Sequence, residues 1–188
     1  MNQKRDYMDC SPELFGALIE LVRMSVVDQF PTTRVDVEDV EHLLEAMHTM
    51  RPNLVELSLF DGFLHVVRGN WREATDVFGA LAGQSLCMPG SKAMMIYCLS
   101  SSGNADWQVL ASQLLDDGAI TPEARMLVHA VIARNDVEQA GEDALSSGQF
   151  VEPESLKRLR TDTAGTPAEA SSAAPGGLMP FDGQYLRL

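Results

Sequence analysis

Acid and imidazole side chains at close spacing are the first candidates for general acid–base chemistry. Glu41 lies next to His42, and Asp61 precedes His65 by one helical turn. Neither pair is accompanied by a candidate nucleophile, which covalent catalysis would need. The two pairs therefore do not predict an active site.

Metal and phosphate chemistry find no better support in the sequence. His42 and His48 share one predicted helix, but a spacing of six residues places them on opposite sides of it. Ser100 to Gly103 has no preceding strand to form a nucleophile elbow, and no glycine-rich phosphate loop is present in the sequence. We expect neither enzymatic activity, nor a cofactor, nor a metal site.

Composition and charge restrict the classes of partner. The 188 residues are 45% apolar, which suffices for one domain with its own core. Twenty-seven acidic and 14 basic side chains give a net charge of −13, which repels nucleic acid and anionic lipid. The densest basic run, Lys157 to Arg160, fits the solvated end of a helix; alternatively it caps the negative end of the preceding helix or contacts a partner. No segment is long and apolar enough for stable membrane insertion.

The cysteines and the N-terminal residues indicate in which cellular compartment the protein is expected. Cys10, Cys87 and Cys98 are odd in number and lack metal or redox spacing, which indicates reduced thiols. Asp6 and Asp9 interrupt the region where a secretory signal would be apolar. We expect a cytoplasmic protein; the alternative is the periplasm or cell envelope, reached without a conventional signal peptide.

Helix start and stop signals predict an all-α chain. Ser11, Asp36, Thr121 and Asp136 are suitable caps, no strand-like alternation competes, and short connectors make neighbouring helices antiparallel. The eight predicted helices cover residues 11–29, 36–50, 54–68, 71–82, 91–101, 106–117, 121–133 and 136–147. The apolar stripe of the first helix consists of Leu14, Leu18, Leu21, Val22 and Val26.

A Gly-Asn pair separates the third and fourth helices. We expect Gly69 to supply a left-handed turn and Asn70 to cap the next helix. The same device recurs at Gly103 and Asn104, and Gly69 and Gly103 are 34 residues apart. This is the repeat length of tetratricopeptide helix pairs.

The residues around Gly69 resemble a tetratricopeptide repeat position by position. Gly62 matches the small residue of the first helix, Trp71 the aromatic of the second, Glu73 and Ala74 the acid–alanine pair, and Phe78 the late aromatic. Small residues let the two helices approach, and the aromatic side chains fill the space toward the next pair. The resemblance implies a stack of antiparallel helix pairs.

In such a stack the first helix of each pair lines an inner face, so exposed parts of the third, fifth and seventh helices would form a groove. The fifth helix is apolar nearly all round. Met94, Met95 and Tyr97, with His65 on the third helix, are our candidates for holding a partner helix, because methionine adapts to a partner's shape. Alternatively, the fifth helix is central and buried on both sides.

Beyond the repeat, the chain resembles the HrpK-like family of type III secretion proteins. The resemblance rests on the segment from Phe60 to Ala74, the order of the helices, the acidic charge and the Pro/Ala-rich tail. The resemblance spans about residues 10–150. It implies a non-enzymatic accessory protein whose partner is a component of the secretion apparatus or a needle- or pilus-type subunit. Related small repeat proteins are similar to needle-subunit chaperones.

Two functions follow from this resemblance. The first is a chaperone or assembly factor that binds a helical secreted subunit in the repeat groove. The alternative is a self-associating structural component of the apparatus or the envelope.

The chain divides into three parts by composition. We expect a flexible N-terminus over 1–10, a tetratricopeptide-like domain over 11–150, and a basic helix end followed by a tail over 151–188. The tail is rich in Pro, Ala and Ser from about Thr161, which predicts disorder. Leu178 to Leu188 is apolar again and is either a docking peptide or a frayed end.

Overall fold

The computed structural model describes residues 10–164, and within that range the predicted all-α fold is confirmed. The predicted N-terminal segment, apart from Cys10, and the tail from residue 165 on, including the apolar peptide, lie outside the described residues. The described elements are α1 (Pro12–Val22), a π-helical turn (Arg23–Val27), α2 (Val37–Met50), α3 (Leu57–Val67), α4 (Trp71–Gly83), α5 (Gly90–Ser101), α6 (Asp106–Leu115), α7 (Pro122–Ser147) and α8 (Glu154–Ala164).

Three predicted caps are confirmed. The side chains of Ser11, Asp36 and Thr121 each accept a hydrogen bond from a first-turn backbone N–H, at 3.2, 3.0 and 3.3 Å. Each cap residue has extended backbone geometry, which turns its side chain back toward the helix.

The turns at the two glycines agree with prediction only in part. Gly69 and Gly103 have φ of 73° and 74°, as expected for left-handed residues that end α3 and α5. Asn70 occupies the predicted N-cap position of α4, but its side chain makes no capping hydrogen bond. Its ψ of 68° departs from the extended geometry of a cap. Asn104, by contrast, accepts from the backbone N–H of Asp106 at 2.9 Å.

α7 runs unbroken for 26 residues, where the sequence predicted a break at residues 134–136. The Arg134 guanidinium donates to the Ser100 hydroxyl at 2.8 Å and ties the middle of the helix to α5. No glycine or proline interrupts this region. Asp136 therefore lies inside a helix, and its predicted role as a cap is wrong.

α8 packs along α7 and extends the helical part of the chain. The Ser155 hydroxyl donates to the Asp136 carboxylate at 2.5 Å, and Arg160 donates to Glu152 at 2.5 Å. The helix continues to Ala164, beyond Thr161, where the sequence predicted disorder to begin.

The predicted apolar stripe of α1 is confirmed only in part. Val22 and Val26 are buried and Leu18 is half-buried, but the buried face is rotated away from Leu14 and Leu21. Leu14 and Leu21 are 57% and 55% exposed. The aromatic ring of Phe15 is fully buried, with the Arg51 guanidinium 5.4 Å from its centroid. The helix is apolar on two adjacent faces, and the face that carries the larger aromatic side chain enters the core. The buried residues of α1 and the π-helical turn are Phe15, Ile19, Val22, Ser25, Val26 and Val27.

A continuous series of aromatic contacts joins four parts of the chain. Phe30, which follows the π-helical turn, lies 5.7 Å from Phe63 of α3 and 5.1 Å from Tyr97 of α5 between ring centroids. Phe63 contacts Phe78 of α4 at 5.8 Å, and Tyr97 contacts Trp71 at 6.1 Å. All four pairs have edge-to-face geometry, which favours aromatic pairs beyond the area they bury. We call these five residues the aromatic chain.

α3 and α4 approach closely because Gly62 has no side chain. A Cβ atom at Gly62 would lie 2.6 Å from Cζ of Phe78, a separation that real contacts do not show. Ala74 and Phe78, on the facing side of α4, are fully buried. The close approach that the repeat resemblance implied at this position is therefore present.

We predict that Gly62→Ala lowers the free energy of unfolding by about 1–3 kcal/mol, because the added methyl group overpacks the contact with Phe78. Gly16→Ala in α1 is the matched control, since a Cβ there has open space and should raise stability by up to about 1 kcal/mol. Urea denaturation measures both. Two results would contradict the close contact between Gly62 and Phe78. One is a Gly62→Ala variant as stable as Gly16→Ala, and the other is a destabilisation by Gly62→Ala that is just as large when Phe78 is replaced by Leu.

Cys98 is fully buried on α5, and burial raises the pKa of its thiol to about 12. Because the thiolate is the reactive form, burial keeps the Cys98 thiol protonated and unreactive at neutral and mildly alkaline pH. We predict that Cys98 does not react with a thiol reagent in the native protein and reacts fully in denaturant. Cys98→Ala should lower the number of thiols that react in denaturant from three to two and leave the number that react in the native protein unchanged. If the variant also lowered the number that react in the native protein, Cys98 would not be buried.

Candidate partner-binding surface

Met94 of α5 belongs to the core and not to a surface. Its side chain is fully buried, as are those of Ile96 and Cys98 on the same helix. Met94 is therefore not available to a partner, and this part of α5 fits the alternative of a central helix.

Tyr97 is half-buried and already covered by the chain's own side chains. The Phe30 ring lies 5.1 Å from its ring, the Trp71 ring 6.1 Å, and the Arg134 guanidinium carbon 5.4 Å. Phe30 thus occupies the place beside α3 and α5 where a partner's apolar side chain would have entered. No role could be predicted for Phe30 from the sequence, because the proline that follows it indicates only the end of a helix.

Met95 is half-buried and faces another neighbour. Its sulfur would lie 3.5 Å from a Cβ atom at Gly79 of α4. Met94, Met95 and Tyr97 therefore do not form one open strip along α5, and the structure does not bring them together as a binding groove.

His65 lies in a polar seam between α2 and α3. At one end of the seam Arg68 donates to both Glu41 oxygens, at 2.8 and 2.6 Å, and these hydrogen bonds lower the pKa of Glu41. At the other end His48 Nε2 lies 2.9 Å from an Asp61 oxygen. Asp61 thus pairs with His48 and not with His65, whose buried Nδ1 has no hydrogen-bond partner among the described residues.

The other repeat-defining residues have structural surroundings. Gly62, Ala74 and Phe78 meet between α3 and α4 as described above. Trp71 packs against Tyr97, and Glu73 is exposed in the first turn of α4, where a carboxylate interacts favourably with the helix dipole. Gly69 and Asn70 are exposed in the connecting turn.

A cavity of about 260 Å³ lies where the segment before α3 meets the segment before α5. Its lining residues are Val55, Glu56, Ser85, Leu86, Cys87 and Met88. Burial, and secondarily the charge of Glu56, raise the pKa of the Cys87 thiol, which keeps it protonated and weakly nucleophilic at neutral pH. Within residues 10–164 no cluster of His, Cys, Asp and Glu could hold a metal ion.

The helices of residues 10–164 include none with both the length and the apolarity to cross a bilayer.

The outer face of α1 carries the most extended exposed apolar surface on one element of the described structure. Leu14, Leu21 and Met24 are 57%, 55% and 55% exposed, and Ala17 between them is also exposed. Their spacing of three and four residues places them in one line along the helix and into the π-helical turn. We call these four residues the α1 stripe.

Other exposed apolar side chains are isolated or lie near the end of α7. Val109 of α6 is 61% exposed without an apolar neighbour of similar exposure on its helix, and Leu145, Phe150 and Val151 lie at the end of α7 and just after it. Isolated exposed apolar residues are normal, whereas a continuous apolar helix face marks an interaction site. The α1 stripe is therefore the candidate surface.

Comparison with protein families gives one assignment. A family described as bacterial type III secretion protein (HrpB1_HrpK) matches residues 5–137, which include the α1 stripe and the aromatic chain. No curated protein and no solved structure matches the chain. Since the match covers well over half of the sequence, the chain belongs to the bacterial type III secretion protein family HrpB1_HrpK.

Proposed function

We propose that this protein is a chaperone or assembly factor of a bacterial type III secretion system. It binds the apolar face of an amphipathic helix in a needle- or pilus-type subunit. The observation that carries the proposal is the α1 stripe, in which Leu14, Leu21 and Met24 are each more than half exposed within the part of the chain that matches the family.

The dimensions of the α1 stripe suit a single helix. Leu14 and Met24 are ten residues apart, which corresponds to about 15 Å of helix. Two helices that pack along such a line insert side chains from one into the gaps of the other. An amphipathic helix presents apolar anchors at the same spacing of three, four and seven residues.

The free energy available from the stripe is modest. Full burial of a leucine or methionine side chain contributes about 1.5–3 kcal/mol, so covering three half-exposed side chains contributes roughly 3–4 kcal/mol. Part of this is offset by the entropy lost on association. Since about 4 kcal/mol corresponds to a Kd of about 1 mM, a complex that survives purification must also use contacts beyond these three side chains.

This binding mode replaces the groove that the sequence suggested. The inner surface at Tyr97 is filled by Phe30, Trp71 and Arg134. A partner helix would have to displace Phe30 before it could reach Tyr97, whereas Leu21 and Met24 are open to solvent. The proposal therefore places the partner on the outer side of α1.

We predict that the double variant Leu21→Asp/Met24→Asp loses stoichiometric co-purification with a needle- or pilus-type subunit encoded beside this protein. Two carboxylates in the contact would have to be buried without partners. Because both side chains are more than half exposed, the thermal unfolding midpoint should stay within a few degrees of the parent. Val109→Asp on α6 is the matched control and should retain the complex.

Two results would contradict this proposal. One is a complex that survives the double variant but is lost when Met95 or Tyr97 is replaced. The other is a double variant that changes only the protein's own mass in solution, measured by light scattering, because the α1 stripe would then join copies of this chain. That second result would favour a self-associating structural component.

A further inference from the structure

Two carboxylates border one edge of the α1 stripe. Glu13 and Glu20 are seven residues apart and therefore lie on the same side of the helix, about 10 Å from each other. Each is one helical turn from Ala17, and Glu20 is also one turn from Met24. Both carboxylates are on exposed residues, so a helix lying on the stripe would pass directly beside them.

The charges along this edge do not cancel. Arg23 donates to Glu20 at 2.9 and 2.5 Å and to Asp28 at 2.5 Å, so one guanidinium serves two carboxylates. Among the described residues no cation contacts Glu13. Backbone and Ser11 hydrogen bonds lower the pKa of Glu13, so it is ionised at neutral pH. Glu20 and Asp28 therefore share one guanidinium, and the charge of Glu13 is not paired with a cation among the described residues.

We propose that the partner helix carries lysine or arginine beside its apolar stripe, at positions seven residues apart that meet Glu13 and Glu20. This inference rests on the proposed function and specifies the chemistry of its partner. The arrangement corresponds to the edge positions of a coiled coil, where opposite charges set the choice of partner. The inferred partner helix therefore has an apolar face with basic residues along one edge.

Electrostatics disfavours the other occupants of this face. A second copy of this chain brings the same two edge carboxylates and a further net charge of −13. An anionic membrane surface is repelled for the same reason. A basic amphipathic helix satisfies both the apolar stripe and its acidic edge.

The test uses two synthetic amphipathic peptides of about three heptads with the same leucine stripe. One carries lysine and the other glutamate at the edge positions, and circular dichroism establishes equal helicity. Fluorescence anisotropy measures binding to the full chain. At low salt the lysine peptide should bind roughly five- to tenfold more tightly, and the difference should shrink toward none at about 1 M salt.

Variants of the protein assign the effect to this edge. The double variant Glu13→Gln/Glu20→Gln should remove most of the preference for the lysine peptide while leaving the apolar contact intact. Glu142→Gln, at an exposed acid of α7, is the matched control and should leave the preference unchanged. Leu21→Asp should abolish binding of both peptides.

The outcomes separate this inference from the proposed function. Equal binding of the two peptides, lost in Leu21→Asp, would overturn the inferred charge pattern and leave helix binding in place. A preference for lysine that survives Glu13→Gln/Glu20→Gln would also overturn it. Binding of neither peptide would overturn helix binding at the α1 stripe altogether, and the inference with it.

Discussion

The contact of Phe30 with Phe63 and Tyr97 constrains the rest of this structure. It fastens the end of the π-helical turn to α3 and α5, and the aromatic chain continues from there to Phe78 and Trp71 of α4. Because interiors are close-packed, the position of Phe30 also fixes how α1 is rotated. With Phe15, Ile19 and Val22 turned inward, the adjacent apolar face of α1 has to point outward.

The function we propose is a consequence of this rotation. The surface beside Tyr97, where a repeat protein would receive a ligand, is closed by the chain's own side chains. The apolar area left over is on the outside of the first helix, with Glu13 and Glu20 along one edge. A surface of this kind favours a slender, basic, amphipathic partner over nucleic acid or another copy of the chain.

Much of this fold could be predicted from local chemistry. The caps at Ser11, Asp36 and Thr121 and the left-handed glycines at 69 and 103 depend on neighbouring residues alone. The rotation of α1 could not be predicted, because Leu14 and Phe15 head two apolar stripes of similar strength and only tertiary packing decides between them. The continuity of α7 at Arg134 could not be predicted either, because it depends on the tertiary contact of Arg134 with α5. The burial of Met94 and the contact of Phe30 with Tyr97 could not be predicted either, because nothing in the local sequence indicated that Phe30 packs there.

Methyl and aromatic NMR of the full chain, titrated with the co-purifying subunit, tests the central claim most directly. We predict that the signals of Leu14, Leu21 and Met24 shift on binding, while those of Phe30 and Tyr97 keep their positions and their mutual contact. Loss of the Phe30–Tyr97 contact on binding, with shifts at Met95 and Tyr97 and none on α1, would contradict the account.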